Sequence, residues 1–210
     1  MSASLAFLAI VGALSLGVIS PGASFVMVLR MSLAVSRRAG VAAALGMGAG
    51  GVAFAGLALL GLQAVIAQAG WAYLGLKLIG AGYLLTLAWR MWRGADAPLE
   101  APQAKARGGS VARAFALGLA TQLSNPKTAI VYASVFAALL PTPPPTWLMV
   151  ALPPVVFVLE ASWYALVALV ASAERPRVAY GRAKRWIDRL AGAVMAGLGA
   201  RLILDAVRPG

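Results

Sequence analysis

The chain has 210 residues, of which 61% are hydrophobic and only 11% are charged, and its mean hydropathy is +0.85. A soluble protein needs a more polar surface than this composition supplies, so we expect an integral membrane protein. The sequence has no cysteine and no histidine, which excludes disulfides, thiol redox chemistry, imidazole catalysis and the usual zinc sites. We therefore expect no cofactor, no metal and no catalytic residue.

Six apolar segments are long enough to cross a hydrocarbon core of about 30 Å. In chain order they cover about residues 3–29, 41–68, 71–89, 114–140, 147–172 and 190–207. The first has no basic residue before Arg30, unlike a signal peptide, so we expect it to be retained as a helix. The predicted fold class is all-α: a polytopic membrane protein with six transmembrane helices in a single domain over residues 1–210.

The basic residues alternate between the connections of these segments, and this pattern accounts for the net charge of +12. The second connection (69–70) and the fourth (141–146) have none, whereas the first, third and fifth carry Arg30, Arg37 and Arg38; Arg90, Arg93, Lys105, Arg107 and Arg113; and Arg175, Arg177, Arg182, Lys184, Arg185 and Arg189. The positive-inside rule places the odd connections in the cytoplasm and both termini outside. The charge thus predicts topology and contact with anionic lipid along 174–190, and no nucleic-acid partner.

Residues 94–112 form the only long polar connection, a cytoplasmic loop that joins two halves at about 1–93 and 113–210. Each half has three predicted spans, so the halves have inverted topology, as in many secondary transporters.

The first span of each half is interrupted, by "GVISPGAS" and by "QLSNPKTA". Proline removes a backbone donor and pushes the preceding residue out of helical geometry. Matched breaks in inverted halves indicate a solute site near the membrane midplane, although either break alone could be an ordinary proline kink. The candidate solute-binding residues are Ser20, Pro21, Gly22, Ser24, Asn125, Pro126 and Lys127.

Lys127 and Glu160 are ionisable residues near the centres of predicted spans, where a charge costs about 3 kcal/mol. Two interpretations stay open. The residues could form a structural ion pair that fixes helix packing, or Glu160 could carry a proton while Lys127 binds the carboxylate of a solute. Trp163 and Tyr164 follow Glu160 by three and four residues and could line the same face, or pack between helices.

Four stretches together resemble the LysE/RhtB family of amino-acid exporters. They are "SPGASFVMVLRMSLAVSRRAGVAAALGMGAG", "LGLKLIGAGYLLTLAWRMWR", "LSNPKTAIVY" and "RWIDRLAGAVMAGLGARLIL". The resemblance implies a proton-motive-force-driven exporter of amino acids or similar small zwitterionic solutes in the bacterial inner membrane. Gly51 stands where many members have an acidic or other polar residue, so a substrate or coupling contact is missing or relocated here.

Two alternative functions remain at this point. A metal-ion exporter would have poor ligands, because the chain offers one central carboxylate and no histidine or cysteine. A non-transporting membrane assembly subunit would not need broken helices around buried charges. A homo-oligomer is compatible with either function.

Overall fold

The computed structural model describes residues 2–68, 70–97, 110–170 and 173–207, leaving aside the side chains of 63–68, 70–73 and 174–177. These ranges contain helices and no strand, which confirms the predicted all-α class. The helices are α1 (Ala3–Ile19), α2 (Ala23–Ala34), α3 (Arg37–Gln68), α4 (Gly70–Gly94), α5 (Val111–Leu123), α6 (Pro126–Leu139), α7 (Thr146–Val170) and α8 (Glu174–Val207).

The first predicted span is broken where the sequence places Pro21. Helix α1 ends at Ile19, and the Ser20 backbone N–H still bonds to Leu16 O at 3.2 Å. Pro21 has no N–H to continue this pattern, and Gly22 precedes α2. The axes of α1 and α2 differ by 55°.

The fourth predicted span is likewise two short helices, α5 and α6. Pro126 occupies the first turn of α6, where a missing N–H costs nothing. The Asn125 side chain caps this helix, because its Oδ1 accepts a hydrogen bond from Lys127 N at 3.0 Å. Both predicted interruptions are therefore real breaks in the helices.

Three helices of the described residues are long and apolar enough to cross a membrane, over Arg37–Leu62, Thr146–Val170 and Val178–Val207. The bent pair α1–α2 is a fourth candidate if it counts as one span, whereas α5 and α6 are apolar but shorter. Of the predicted loop 94–112, residues 98–109 lie outside the described residues, and 111–112 already belong to α5.

The last helix differs from its prediction. The span expected at 190–207 is the second part of α8, which begins at Glu174. Lys184 and Asp188, one turn apart, form an ion pair of 2.9 Å and are both buried. This neutralised pair lets the basic segment pack against the bundle as helix.

Helix α3 lies between α5 and α7, and α4 packs along α8. Glycines make the close approach of α3 and α5 possible. A Cβ atom on Gly46 would collide with Phe115 O and lie 2.7 Å from Leu119 N, and one on Gly118 would collide with Ala43 O. Backbone thus packs on backbone along this seam, as is common between membrane helices.

Candidate functional site

The two helix breaks meet in the interior of the bundle. Asn125 Nδ2 donates to Ser24 Oγ at 3.1 Å, and Ser24 Oγ donates to Gln122 Oε1 at 3.0 Å. Ser24 lies in the first turn of α2, while Gln122 and Asn125 stand on either side of the α5–α6 break. A chain of side-chain hydrogen bonds therefore joins the two interrupted spans.

Lys127 connects the same breaks on the other side. Its Nζ donates to Gly17 O at 3.1 Å and lies 3.5 Å from Ser20 O. The last carbonyls of a helix have no intrahelical partner and carry its negative dipole end, so a cation is stabilising there. Lys127 belongs to the first turn of α6, and its half-buried side chain reaches the end of α1.

Glu160 of α7 lies beside this network with 2% of its surface exposed. Its Oε1 accepts from Tyr132 OH at 2.6 Å and from Gln122 Nε2 at 2.8 Å. Its Oε2 has no hydrogen-bond partner among the described residues. Such a buried and unpaired oxygen is able to accept a proton or a donor group of a solute.

Lys127 and Glu160 do not form the ion pair that one interpretation of the sequence required. The ion pairs between described residues, within 4.0 Å, include neither of them. The described residues also contain no group of three or more acidic, His or Cys side chains that could hold a metal ion.

These groups surround a central cavity of about 30 Å³. Its polar lining consists of Ser20, Ser24, Asn125, Lys127, Thr128, Tyr132, Glu160 and Tyr164, and Gly22 contributes backbone. The space suffices for about two water molecules, so a larger solute enters only if the walls move apart.

Most of the residues predicted from the sequence converge on this cavity. Ser20, Gly22 and Ser24 of the first break, Asn125 and Lys127 of the second, and Glu160 all line it. The two breaks thus lie side by side at one cavity, although Pro21 and Pro126, which were also expected to line it, do not. Binding of a solute to these residues stays a prediction.

The other candidates lie next to the cavity without lining it. Pro21 faces a neighbouring pocket beside α4 and α8, and Pro126 faces a surface pocket beside Ser124. Gly51 packs on Glu160, whose Cγ would lie 3.2 Å from an added Cβ. Trp163 packs against Tyr180, with ring centroids 5.9 Å apart. Their contacts with a solute stay predictions.

Sequence reasoning missed three polar residues of this region: Gln122, Tyr132 and Asp188. Gln122 stands three residues before Asn125, a spacing that places both at the break, but a lone amide or phenol in an apolar span gives little signal. Asp188 lies in a stretch assigned to the membrane interface. Its Oδ1 instead accepts from Ser20 Oγ at 2.7 Å.

An apolar helical bundle with buried polar groups at two helix breaks is the architecture of helical membrane transporters. Comparison with known proteins agrees with this class. Residues 15–206 match the LysE type translocator family, so the chain belongs to this family and the resemblance seen in its motifs is confirmed.

The chain is also similar to several bacterial membrane proteins. It is 32% identical over 188 residues to the threonine efflux protein of Escherichia coli K12, covering 89% of this chain and 91% of the relative. With the threonine efflux protein of Salmonella typhimurium LT2 it shares 34% identity over 195 residues, with the same coverage of 89% and 91%. With the membrane protein YahN of E. coli K12 it shares 32% over 188 residues, covering 90% and 84%. No solved structure matches the chain significantly.

Proposed function

We propose that this protein is a secondary transporter that exports a small amino acid, with threonine as the first candidate, across the bacterial inner membrane. Membership of the translocator family and similarity to two threonine efflux proteins support export of this class of solute. The metal-ion and assembly-subunit alternatives have no comparable support.

The observation that carries the proposal is the buried polar network joining the two helix breaks. Burying hydroxyl, amide and carboxyl groups in an apolar bundle is costly, so a bundle that only had to pack would have apolar side chains here. In the proposed complex the solute's carboxylate binds near Asn125 and Lys127, and its ammonium group lies toward Glu160. Asn125 and Ser24 lie 3.1 Å apart and both line the cavity, so in this complex the solute contacts both breaks.

Proton coupling is the second part of the proposal. Glu160 is the only Asp or Glu that lines the cavity, and its Oε2 lacks a partner within the described part of the chain. A proton taken up there from one side of the membrane and released to the other would couple export to the proton motive force.

We infer six membrane crossings for this transporter: α1–α2, α3, α4, α5–α6, α7 and α8. Each half then contributes three, with inverted topology and both termini outside. The alternation of basic residues supports this orientation.

The test is efflux of radiolabelled threonine, serine, leucine and lysine from proteoliposomes that contain the purified protein, with and without an imposed pH gradient. We expect threonine to leave faster than from protein-free liposomes, and the gradient to accelerate it. Absence of efflux for every amino acid would refute the function.

Two matched variants test the position of the site. Asn125→Ala and Ser110→Ala each remove a helix N-cap, since Ser110 Oγ accepts from Arg113 N at 3.2 Å, and loss of the cap should cost about 1 kcal/mol of stability in each. Asn125→Ala also removes the hydrogen bond to Ser24. Only Asn125 lines the cavity, so only Asn125→Ala should abolish threonine efflux. Equal efflux by both variants would place the solute elsewhere.

A further inference from the structure

A second pocket lies beside the central cavity, between the α1–α2 break, the end of α4 and the polar part of α8. This α4–α8 pocket is lined by Ser20, Arg90, Gly94, Lys184 and Asp188, among others, and has a volume of about 220 Å³. It is several times larger than the central cavity of about 30 Å³. A small solute fits here without the rearrangement that the central cavity requires.

Three cations line the pocket: Lys127, which bonds to the end of α1, Lys184 and Arg90. Lys184 is fully engaged, because its Nζ donates to Gly94 O at 2.6 Å and contacts Ala95 O at 3.5 Å and Asp188 Oδ2 at 2.9 Å. The Arg90 guanidinium is exposed, and it makes no hydrogen bond or ion pair with any other described residue. A planar guanidinium with free donors suits a carboxylate, which it can bind through two parallel hydrogen bonds.

The pocket also offers a carboxylate with remaining acceptor capacity. Asp188 is only 4% exposed, and its two oxygens are contacted by the Ser20 hydroxyl and by Lys184. A carboxylate has about four lone-pair sites, so it can accept another donor such as an ammonium group. Arg90 and Asp188 thus present opposite charges to one pocket, as recognition of a zwitterion requires.

The wall between the pocket and the central cavity is thin. Ser20, Gly22 and Lys127 line both spaces. The α1–α2 break and Lys127 of α6 therefore lie between the two spaces. The hydrogen bond from Ser20 to Asp188 links this wall to the carboxylate of the pocket.

We infer that the α4–α8 pocket is a second solute site, where Arg90 binds the carboxylate and Asp188 the ammonium group of an amino acid before it enters the central cavity. This inference rests on the proposed function for the nature of the solute. The predicted topology places the end of α4 at the cytoplasmic side, from which an exported solute arrives.

The first test compares two arginines of the same helix. Arg93 stands one turn from Arg90, but it stacks over Trp89, 4.6 Å from the ring centroid, and does not line the pocket. We expect Arg90→Gln to raise the KM for threonine about 10- to 100-fold, as expected for a lost charged hydrogen bond, with kcat nearly unchanged. Arg93→Gln should leave the KM unchanged.

The second test uses the absence of native cysteine. Gly94 lines only the α4–α8 pocket, and a Cβ there meets nothing within 4 Å, whereas Thr128 lines only the central cavity. In nanodiscs, which expose both membrane faces, threonine should slow alkylation of Gly94→Cys by a maleimide. Adding Arg90→Gln should raise the threonine concentration needed for protection about 10- to 100-fold.

The outcomes separate this site from the transport function. Equal KM changes in Arg90→Gln and Arg93→Gln would reveal a general effect of charge and overturn the site. Protection of Thr128→Cys without protection of Gly94→Cys would overturn it too, while leaving the proposed function intact. Absence of all amino-acid efflux by the unsubstituted protein would refute the proposed function. Protection of Gly94→Cys by threonine would then still support the pocket, and its absence would overturn it.

Discussion

Glu160 binds its neighbours through one oxygen only. Oε1 accepts from both Tyr132 and Gln122, while Oε2 is buried without a partner among the described residues. A glutamine at this position keeps an oxygen for both donors and replaces the charged, protonatable Oε2 by an amide NH2 group of similar size. The role of the charge can therefore be tested without dismantling the network.

Glu160→Gln should fold normally and lose proton coupling. We expect its unfolding free energy to change by less than about 2 kcal/mol, because both hydrogen bonds to Oε1 persist. Threonine exchange without a gradient should continue, whereas acceleration of efflux by a pH gradient should disappear.

The control for this variant is Asp205→Asn, which removes a half-exposed carboxylate paired with Arg201 near the end of α8. It should respond to the gradient like the unsubstituted protein. A full gradient response by Glu160→Gln would show that the proton travels by another group.

At the scale of helices, the contact between α3 and α5 is set by glycine. The backbones touch at Gly46 and Gly118, where an added Cβ would overlap a carbonyl oxygen of the other helix. Because Gln122 and the break after it belong to the end of α5, the seam also fixes the position of the site. Widening it would displace the amide that bonds Ser24 and Glu160.

Gly46→Ala should therefore destabilise the protein, while Gly56→Ala should not. Both glycines lie in α3, but a Cβ on Gly56 meets nothing within 4 Å. Overpacking at Gly46 should cost roughly 1–3 kcal/mol, seen as a lower melting temperature in detergent. At Gly56 alanine should be neutral or stabilising, by up to about 1 kcal/mol. Equal melting temperatures of Gly46→Ala and Gly56→Ala would mean that α3 and α5 can move apart at no cost in stability.

The breaks and their polar residues could be predicted from the sequence because their cause is local. Pro21 and Pro126 cannot continue a helix, Asn125 is a strong cap, and Lys127 is conspicuous in an apolar span. Each of these signals lies within a few residues of its effect.

The remaining contacts could not be predicted because they join distant parts of the chain. Ser20 and Asp188 are 168 residues apart, and nothing near either residue specifies the other. The packing of the first part of α8 against the bundle was missed for the same reason. Its basic composition suggested a surface, and only the i,i+4 spacing of Lys184 and Asp188 hinted that two charges could be buried together.

At the scale of the whole molecule, each predicted half begins with two short helices separated by a break, α1–α2 and α5–α6. The two breaks are joined by the hydrogen bond between Asn125 and Ser24. A movement of α1–α2 therefore displaces α5–α6, and the reverse. The central cavity is smaller than the α4–α8 pocket, so we expect the proposed transporter to take up its solute from the side where α4 ends.

The membrane topology decides whether the end of α4 lies on the cytoplasmic side. A reporter fused after Arg107, which lies outside the described residues, should behave as cytoplasmic, and one inserted at Pro143 should behave as external. The reason is the absence of basic residues from 141–146 and their abundance around the third connection. The opposite pattern would turn the α4–α8 pocket into an exit for the solute.

The contacts of Lys127 bear on how transport selectivity can diverge among related chains. Its ammonium group bonds to backbone oxygens, those of Gly17 and Ser20, and every residue type supplies such an oxygen. A Cβ at Gly17 would make only ordinary contacts, at 3.8 Å from Met195 and 3.9 Å from Val131. Side chains around this turn can thus be exchanged without releasing the lysine, so mutation can reshape the cavity for a new solute while its central cation stays in place.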